Sequence, residues 1–316
     1  MSGAAPSDCL RQDDFSNSEV VKWVVFFNGF SSDLRLYMFP TLFHIGPIAI
    51  QSYGLMLAIG FYIAVELMKR DGRKVGIDPE IISTFALGCL IVGVLGTRLL
   101  HIAMFSEEYS WKDPLGWIAV WKGGLVFHGA PPAMLAYLIW ATRRYRVPFN
   151  QFMDIGVSYV VLAHAFGRIG CFWAGCCYGK PTTMPWGIHF PVGSPPCDRY
   201  ADITASGTVC QAVHPTQLYE ALLLVGLCAA LLWLRKRVYP RTGFVLPAYL
   251  MGYGVIRFIV EMFRGDNNPM VWGVMSEQQL FCLVFFVGGA GLLAFMLHRD
   301  YRQSKDIMPC EDVFRT

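Results

Sequence analysis

The sequence predicts an all-α membrane protein. It should have seven transmembrane helices, its N-terminus outside, its C-terminus in the cytoplasm, and a periplasmic elaboration between helices four and five. Three observations carry this. Charged residues make up 16% of the 316 and hydrophobic ones 54%, with a mean hydropathy of +0.42, whereas a soluble chain carries roughly 25% charged residues. Apolar runs of about 20 residues, enough to cross a roughly 30 Å hydrocarbon core, recur along the chain. Basic clusters follow every second run, as the positive-inside rule requires of cytoplasmic ends.

The runs lie at 48–68, 85–104, 125–141, 152–172, 217–234, 245–263 and 280–297. The third is the shortest and is broken by glycine and proline between Gly124 and Pro132. Backbone polar groups find no water in lipid, so these runs must be helices, and no ten-residue alternation suggests a barrel. The basic clusters are "KRDGRK" (69–74), "RRYR" (143–146), "RKR" (235–237) and "HRDYR" (298–302), after runs one, three, five and seven. Residues 1–42 read as an N-terminal extension, 43–300 as the helical domain with its elaboration at 171–214, and 301–316 as a cytoplasmic tail. The first 20 residues are polar and lack the apolar core of a cleavable signal. Residues 21–30 are too short to span and suit the membrane interface. A net charge of +3 comes mostly from the cytoplasmic clusters and implies no nucleic-acid partner.

Ionisable residues inside the spans mark function by default, because each costs several kcal/mol there. Arg98 and His101 fall toward the outward end of run two, His128 at the outward start of run three, and His164 and Arg168 at the outward end of run four. Glu220 begins run five, and Arg257, Glu261 and Arg264 occupy the outer half of run six. Glu66 is the exception and can snorkel to water. These charges are expected at one level, near the outer leaflet. His164 and Arg168 are four apart, as are Tyr253, Arg257 and Glu261, so each set shares a helix face. Arg257 and Glu261 alone could be a pair that fixes packing. As a set, the cations Arg98, Arg168, Arg257 and His128 outnumber the acids and call for an anion. A phospholipid phosphate is the obvious one, held by the planar guanidinium fork. His128 sits in "WKGGLVFHGAPP" between glycines, either as a bonded core histidine or as a group that exchanges a proton near neutral pH. In "HPTQLYEALL", Gln217 and Glu220 share one face of a helix start, and Glu220 is expected in the same cavity.

Of ten cysteines, Cys89, Cys228 and Cys282 lie within apolar runs. Cys197 and Cys210 flank a polar loop and are candidates for a disulfide. Cys171, Cys176 and Cys177 lack the CxxC spacing of zinc or thioredoxin-like sites.

Four segments in order, "GGLVFHG", "GRIGCFWAGCCYGKPT", "HPTQLYEALL" and "YGVIRFIVEMFR", preceded by "FHIGPIAIQSYGLM" at 43–56, resemble the bacterial prolipoprotein diacylglyceryl transferases. The resemblance implies a seven-helix inner-membrane enzyme. Such an enzyme moves the diacylglyceryl group of phosphatidylglycerol to the lipobox cysteine of a secreted preprotein, releasing glycerol phosphate, without metal or cofactor. Its partners would be that lipid, the prolipoprotein lipobox and the surrounding membrane lipids. By motif, Tyr53, His128, Arg168, Gly179, Tyr253, Arg257 and Glu261 match family positions. Arg168 and Arg257 would serve the phosphate and His128 the thiol, while Tyr53, Arg98, Gly179, Glu220, Tyr253 and Glu261 would bind or position substrate. The chain departs from the family at Ala130, often Gly; at Cys171, often Asn; and at Cys176, often acidic. Two rival readings remain beside this one, a membrane thiol–disulfide oxidoreductase and an outer-leaflet anion or lipid transporter.

Overall fold

The computed structural model describes residues 41–45, 48–109, 117, 124, 126–204, 207–266, 270–271, 273 and 275–306. The expected interfacial segment at 21–30, nearly all of the 1–42 extension and the end of the tail lie outside them. Among the described residues the main elements are seven long helices. These are α1 (Ser52–Lys74), α2 (Pro79–Met104), α3 (Ala130–Arg144), α4 (Phe149–Ala174), α5 (Thr216–Val238), α6 (Val245–Phe263) and α7 (Glu277–Asp306).

Six of the seven are long and apolar enough to cross a membrane. The exception is α3. The run expected at 125–141 becomes a 3-10 turn at Phe127–Gly129 followed by a helix of 15 residues, about 22 Å long at 1.5 Å per residue. Pro131 and Pro132 set where it starts, since proline is tolerated in a first helical turn and not further in. The first run is also shifted. Residues 48–51 are strand, and the helix begins at Ser52.

The fold is a multi-pass helical membrane protein with small β-ribbons at its helix ends. β1 (Thr41–Ile45) pairs with β2 (Ile48–Gln51) and leads straight into α1. Between α4 and α5, β3 (Ile188–His189) pairs with β6 (Ala212–Val213), and β4 (Ala201–Thr204) with β5 (Gly207–Cys210). β7 (Met270–Val271) and β8 (Met275–Ser276) bridge α6 to α7. The elaboration has its own core of Phe172, Tyr178, Ile188, Phe190 and Val213. A disulfide joins Cys197, in the short helix Pro195–Tyr200, to Cys210, with the two Cα atoms 4.9 Å apart.

Helix α4 is the central post: 61% of its apolar window is buried, against 17% for α7. It packs on α1, α5 and α6. Val161 of α4 meets Leu224 and Leu231 of α5 and Val245 of α6 in one buried cluster. Leu222 and Val287 point outward, 75% and 67% exposed, as side chains facing lipid do.

The basic ends of α1 and α5 lie together, because Asp71 of α1 is ion-paired with Arg235 of α5. Asp71 also accepts from Tyr159 Oη at 2.6 Å and from Lys74 Nζ at 2.7 Å. Asp154 of α4 accepts from the backbone N–H groups of Gly243 (2.7 Å) and Val245 (3.1 Å) at the start of α6. Both acids are buried. The expectation that buried charge gathers at one level is therefore corrected. The basic end has buried carboxylates too, each satisfied on both oxygens. Glu66, by contrast, pairs with Lys69 at 2.7 Å and is partly exposed.

Candidate active site

At the other end of the bundle, α4, α5 and α6 each contribute a charged residue to one network. Glu220, 1% exposed, stands between two guanidiniums. Its Oε1 is 3.0 Å from Arg168 Nη2, and its Oε2 is 3.5 Å from Arg257 Nη1. Arg257 Nη2 lies 2.9 Å from Glu261 Oε2, one helical turn on. Glu261 in turn accepts from Ser276 Oγ at 3.3 Å and lies 3.8 Å from Arg264, and Arg264 forks onto Asp266 with Nε at 2.8 Å. The alternating spacing of the sequence motifs is thus realised: Arg257 and Glu261 share a face, and Glu220 faces inward.

The expected surplus of cations is not found in this network, where Arg168, Arg257 and Arg264 face Glu220, Glu261 and Asp266. Arg257 is paired with both Glu261 and Glu220, and Glu220 is shared with Arg168. Arg168 Nε and Gln217 Oε1 are both buried with no hydrogen-bond partner among the described residues. Such orphan groups cost about 1–3 kcal/mol each, and one is a donor and the other an acceptor.

Tyr253 borders this network. Its ring stacks on Tyr249 at 5.8 Å and tilts against His164 at 5.4 Å, and its phenol senses Glu220, Arg168 and Arg257. His164 Nε2 lies 3.9 Å from Glu220. Tyr53 arrives by a close helix crossing. A Cβ on Gly170 would sit 3.1 Å from Tyr53 Cα, so any larger residue would press α1 and α4 apart by a few tenths of an ångström there. Tyr53 is 41% exposed.

Gly179 has an architectural reason. Its N–H donates to His214 O at 3.0 Å, while Lys180 N–H donates to Phe263 O at 2.8 Å and Gly265 N–H to Tyr178 O at 3.0 Å. This strip of chain is threaded between the entrance of α5 and the exit of α6, and a Cβ on Gly179 would fall 2.5 Å from His214.

The cysteine segment is a helix ending. Gly175 takes φ of 69° and donates to Phe172 O at 3.2 Å, and Cys176 N–H donates to Cys171 O at 3.1 Å. This is the paired bonding of a glycine-terminated helix. It folds the chain back so that Cys171, Cys176 and Cys177 bring their sulfurs within 4.8 Å of one another. The first turn of α5 holds that ending in place: Thr216 Oγ1 donates to Cys177 O at 2.8 Å and Gln217 Nε2 to Cys176 O at 2.7 Å. The missing CxxC spacing therefore does not keep these thiols apart. The signal that could have revealed it was the glycine, which turns a linear x₄ gap into a reversal.

Arg98 and His128 belong to a second place, at the outward ends of α2 and α3. Arg98 donates through Nε to Trp117 O at 3.1 Å and through Nη1 to Gly124 O at 3.0 Å, and lies over Tyr109. Arg98 thus pins the loop before α3. A Cβ on Gly129 would lie 2.1 Å from Gly96 O, so the turn bearing His128 sits directly on α2. His128 is exposed, with its ring 4.9 Å from Phe281 of α7.

The arrangement defines a helical membrane protein with a buried arginine–glutamate network at one end of its bundle, chemistry suited to an anionic oxygen ligand. The family model for prolipoprotein diacylglyceryl transferase matches residues 40–295. The chain is 33% identical over 268 residues to the phosphatidylglycerol–prolipoprotein diacylglyceryl transferase of Clostridium tetani, covering 84% of this chain and all of that one. It is 32% identical over 255 residues to the enzyme of that name from Synechococcus elongatus, covering 79% and 84%. The Vibrio vulnificus enzyme is 31% identical over 271 residues, covering 84% and 94%. The chain belongs to the prolipoprotein diacylglyceryl transferase family. The comparisons lend nothing to the oxidoreductase and transporter readings.

Proposed function

We propose that this protein transfers the diacylglyceryl group of phosphatidylglycerol to the lipobox cysteine of a prolipoprotein at the outer face of the bacterial cytoplasmic membrane. The product is a thioether-linked lipoprotein, and glycerol phosphate is released. Family membership and the names of the relatives support the reaction. The observation that carries the site is the single buried carboxylate of Glu220 shared by Arg168 and Arg257.

The basic clusters after α1, α3, α5 and α7 support a topology with that network outside, the N-terminus outside and the C-terminus in the cytoplasm. α3 and its preceding turn then make the seventh crossing together. The two guanidiniums serve a phosphodiester. The lipid phosphate competes with Glu220 for Arg168, whose unpartnered Nε offers it a further donor. The thiolate sulfur attacks the glycerol methylene, and the leaving phosphate gathers charge that Arg257 meets. Donors fixed before the reaction stabilise that charge without reorganising. Glu261 and Ser276 hold Arg257 at its angle. Tyr53 and Tyr253 position lipid and peptide, and Gly179 keeps the entrance of α5 tight against the exit of α6. Arg98 braces the loop beside the mouth. His128 orients the thiol or takes its proton.

The test is transfer of labelled diacylglyceryl from phosphatidylglycerol vesicles to a lipobox peptide by the purified protein. Wild type should transfer and Arg168→Ala and Arg257→Ala should not. Robust transfer by either variant would remove that arginine from the mechanism.

A further inference from the structure

The Cys171–Cys176–Cys177 cluster has no part in the transfer as described, yet it lies against the same site. Cys171 follows Arg168 by three residues on α4, and Gln217, which donates to Cys176 O, precedes Glu220 by three residues on α5. Cys171 is buried, Cys177 half-buried and Cys176 exposed, so the trio opens on one side only.

Three features make it a built site. The sulfurs already lie within 4.8 Å of one another, and a tetrahedral zinc with Zn–S bonds of 2.3 Å needs them about 3.8 Å apart, a contraction that side-chain rotation supplies. The backbone beneath is fixed twice, by the glycine turn at Gly175 and by Thr216 and Gln217 on the carbonyls of Cys177 and Cys176. Gln217, 1% exposed, keeps its Oε1 unpartnered there. Charge also fits: three thiolates and a hydroxide or substrate thiolate around Zn²⁺ leave two negative charges, with the two cations Arg168 and Arg264 both acting electrostatically on Cys177.

We infer that Cys171, Cys176 and Cys177 bind a zinc ion whose open fourth position takes the lipobox cysteine of the substrate. Three protein ligands with a free fourth place are the catalytic form of a zinc site, and a thiol that coordinates zinc is deprotonated outright. The lipobox thiol displaces a zinc-bound hydroxide. Its S–H proton goes to that hydroxide, which leaves as water. The sulfur lone pair then forms a C–S bond to the glycerol methylene while the C–O bond to phosphate breaks. The bonding pair departs on the phosphate, which Arg168 and Arg257 receive. The neutral thioether is a poor zinc ligand and releases. No electrons are gained or lost. With the metal ionising the thiol, His128 is left to orient it. The inference rests on the transferase reading.

The experiment uses the full chain in detergent. Wild type should carry about one zinc per chain, and so should Cys89→Ser, while the triple variant Cys171→Ser/Cys176→Ser/Cys177→Ser should carry none. Cobalt-loaded wild type should show thiolate-to-cobalt charge-transfer bands that shift with a lipobox peptide and stay unchanged with its Cys→Ser analogue. Stripping wild type with a chelator should slow transfer about tenfold or more, with zinc restoring it. Wild type that binds neither zinc nor cobalt, that transfers at full rate when stripped, or that holds a disulfide among the three cysteines would overturn the inference. Transfer that persists in such a protein leaves the transferase reading intact. A peptide-dependent cobalt spectrum without any lipid transfer would sustain the zinc site and sink the transferase.

Discussion

The two ends of the bundle both bury carboxylates between helices and use them differently. At the basic end Asp71 receives a lysine, a tyrosine and an arginine, and Asp154 receives two backbone N–H groups. At the other end Glu220 is stretched between two arginines from two helices, with orphan polar atoms on Arg168 and Gln217 beside it. A buried acid saturated by local donors fixes the fold. One that is shared, and surrounded by unused donors and acceptors, is a place where something else binds. Arg235 Nη1 at the basic end is also buried without a hydrogen-bond partner among the described residues, so burial and orphan atoms alone do not separate the two cases. What differs is that Asp71 and Asp154 are bonded on both oxygens while Glu220 is divided between the guanidiniums of two helices.

That contrast can be broken from either side. The largest effect should come from Glu220→Ala or Arg257→Ala, with turnover per folded molecule lower by about 10²–10³-fold, beside a loss of stability of about 3–5 kcal/mol because one side of a buried pair is left alone. A loss of stability with turnover per folded molecule unchanged would make Glu220 a structural acid like Asp71. Next, Cys197→Ser should destabilise the elaboration. Its disulfide spans a sequence separation of 13, worth about 3 kcal/mol in the loop-entropy view, and limited proteolysis between β3 and β6 would report it. Asp71→Asn should contrast with Glu220→Ala in turnover, lowering stability by about 2 kcal/mol with turnover per folded molecule nearly unchanged. A collapse in turnover would couple the two ends. Gly170→Ala should be mildest, costing about 1 kcal/mol and raising KM more than it lowers kcat as Tyr53 is pushed off α4.

Much of this was legible in the sequence because lipid imposes strong patterns. Apolar runs and the alternation of basic clusters locate six of the helices, and four-residue spacing pairs Arg257 with Glu261. The third run differs in form, because Pro131 and Pro132 place the start of a 15-residue helix after a 3-10 turn, and hydropathy does not show where a helix begins. Depth, a one-dimensional measure, groups Arg98 with Arg168. In three dimensions Arg98 bonds to the carbonyls of its own loop. Asp71 and Asp154 give no signal in the sequence because their partners are far along the chain, at Arg235, Gly243 and Val245. Linear spacing argues against a joint site for the cysteines because it ignores how the αL glycine at 175 reverses the chain.

The central claim is that Arg168 holds a lipid phosphate with its planar fork. The most direct measurement is phosphatidylglycerol binding to the purified protein by native mass spectrometry, wild type against Arg168→Lys. Lysine keeps the charge and loses the two-bonded geometry, so affinity should fall by roughly tenfold or more. Undiminished binding by Arg168→Lys, or by Arg168→Ala, would contradict the account.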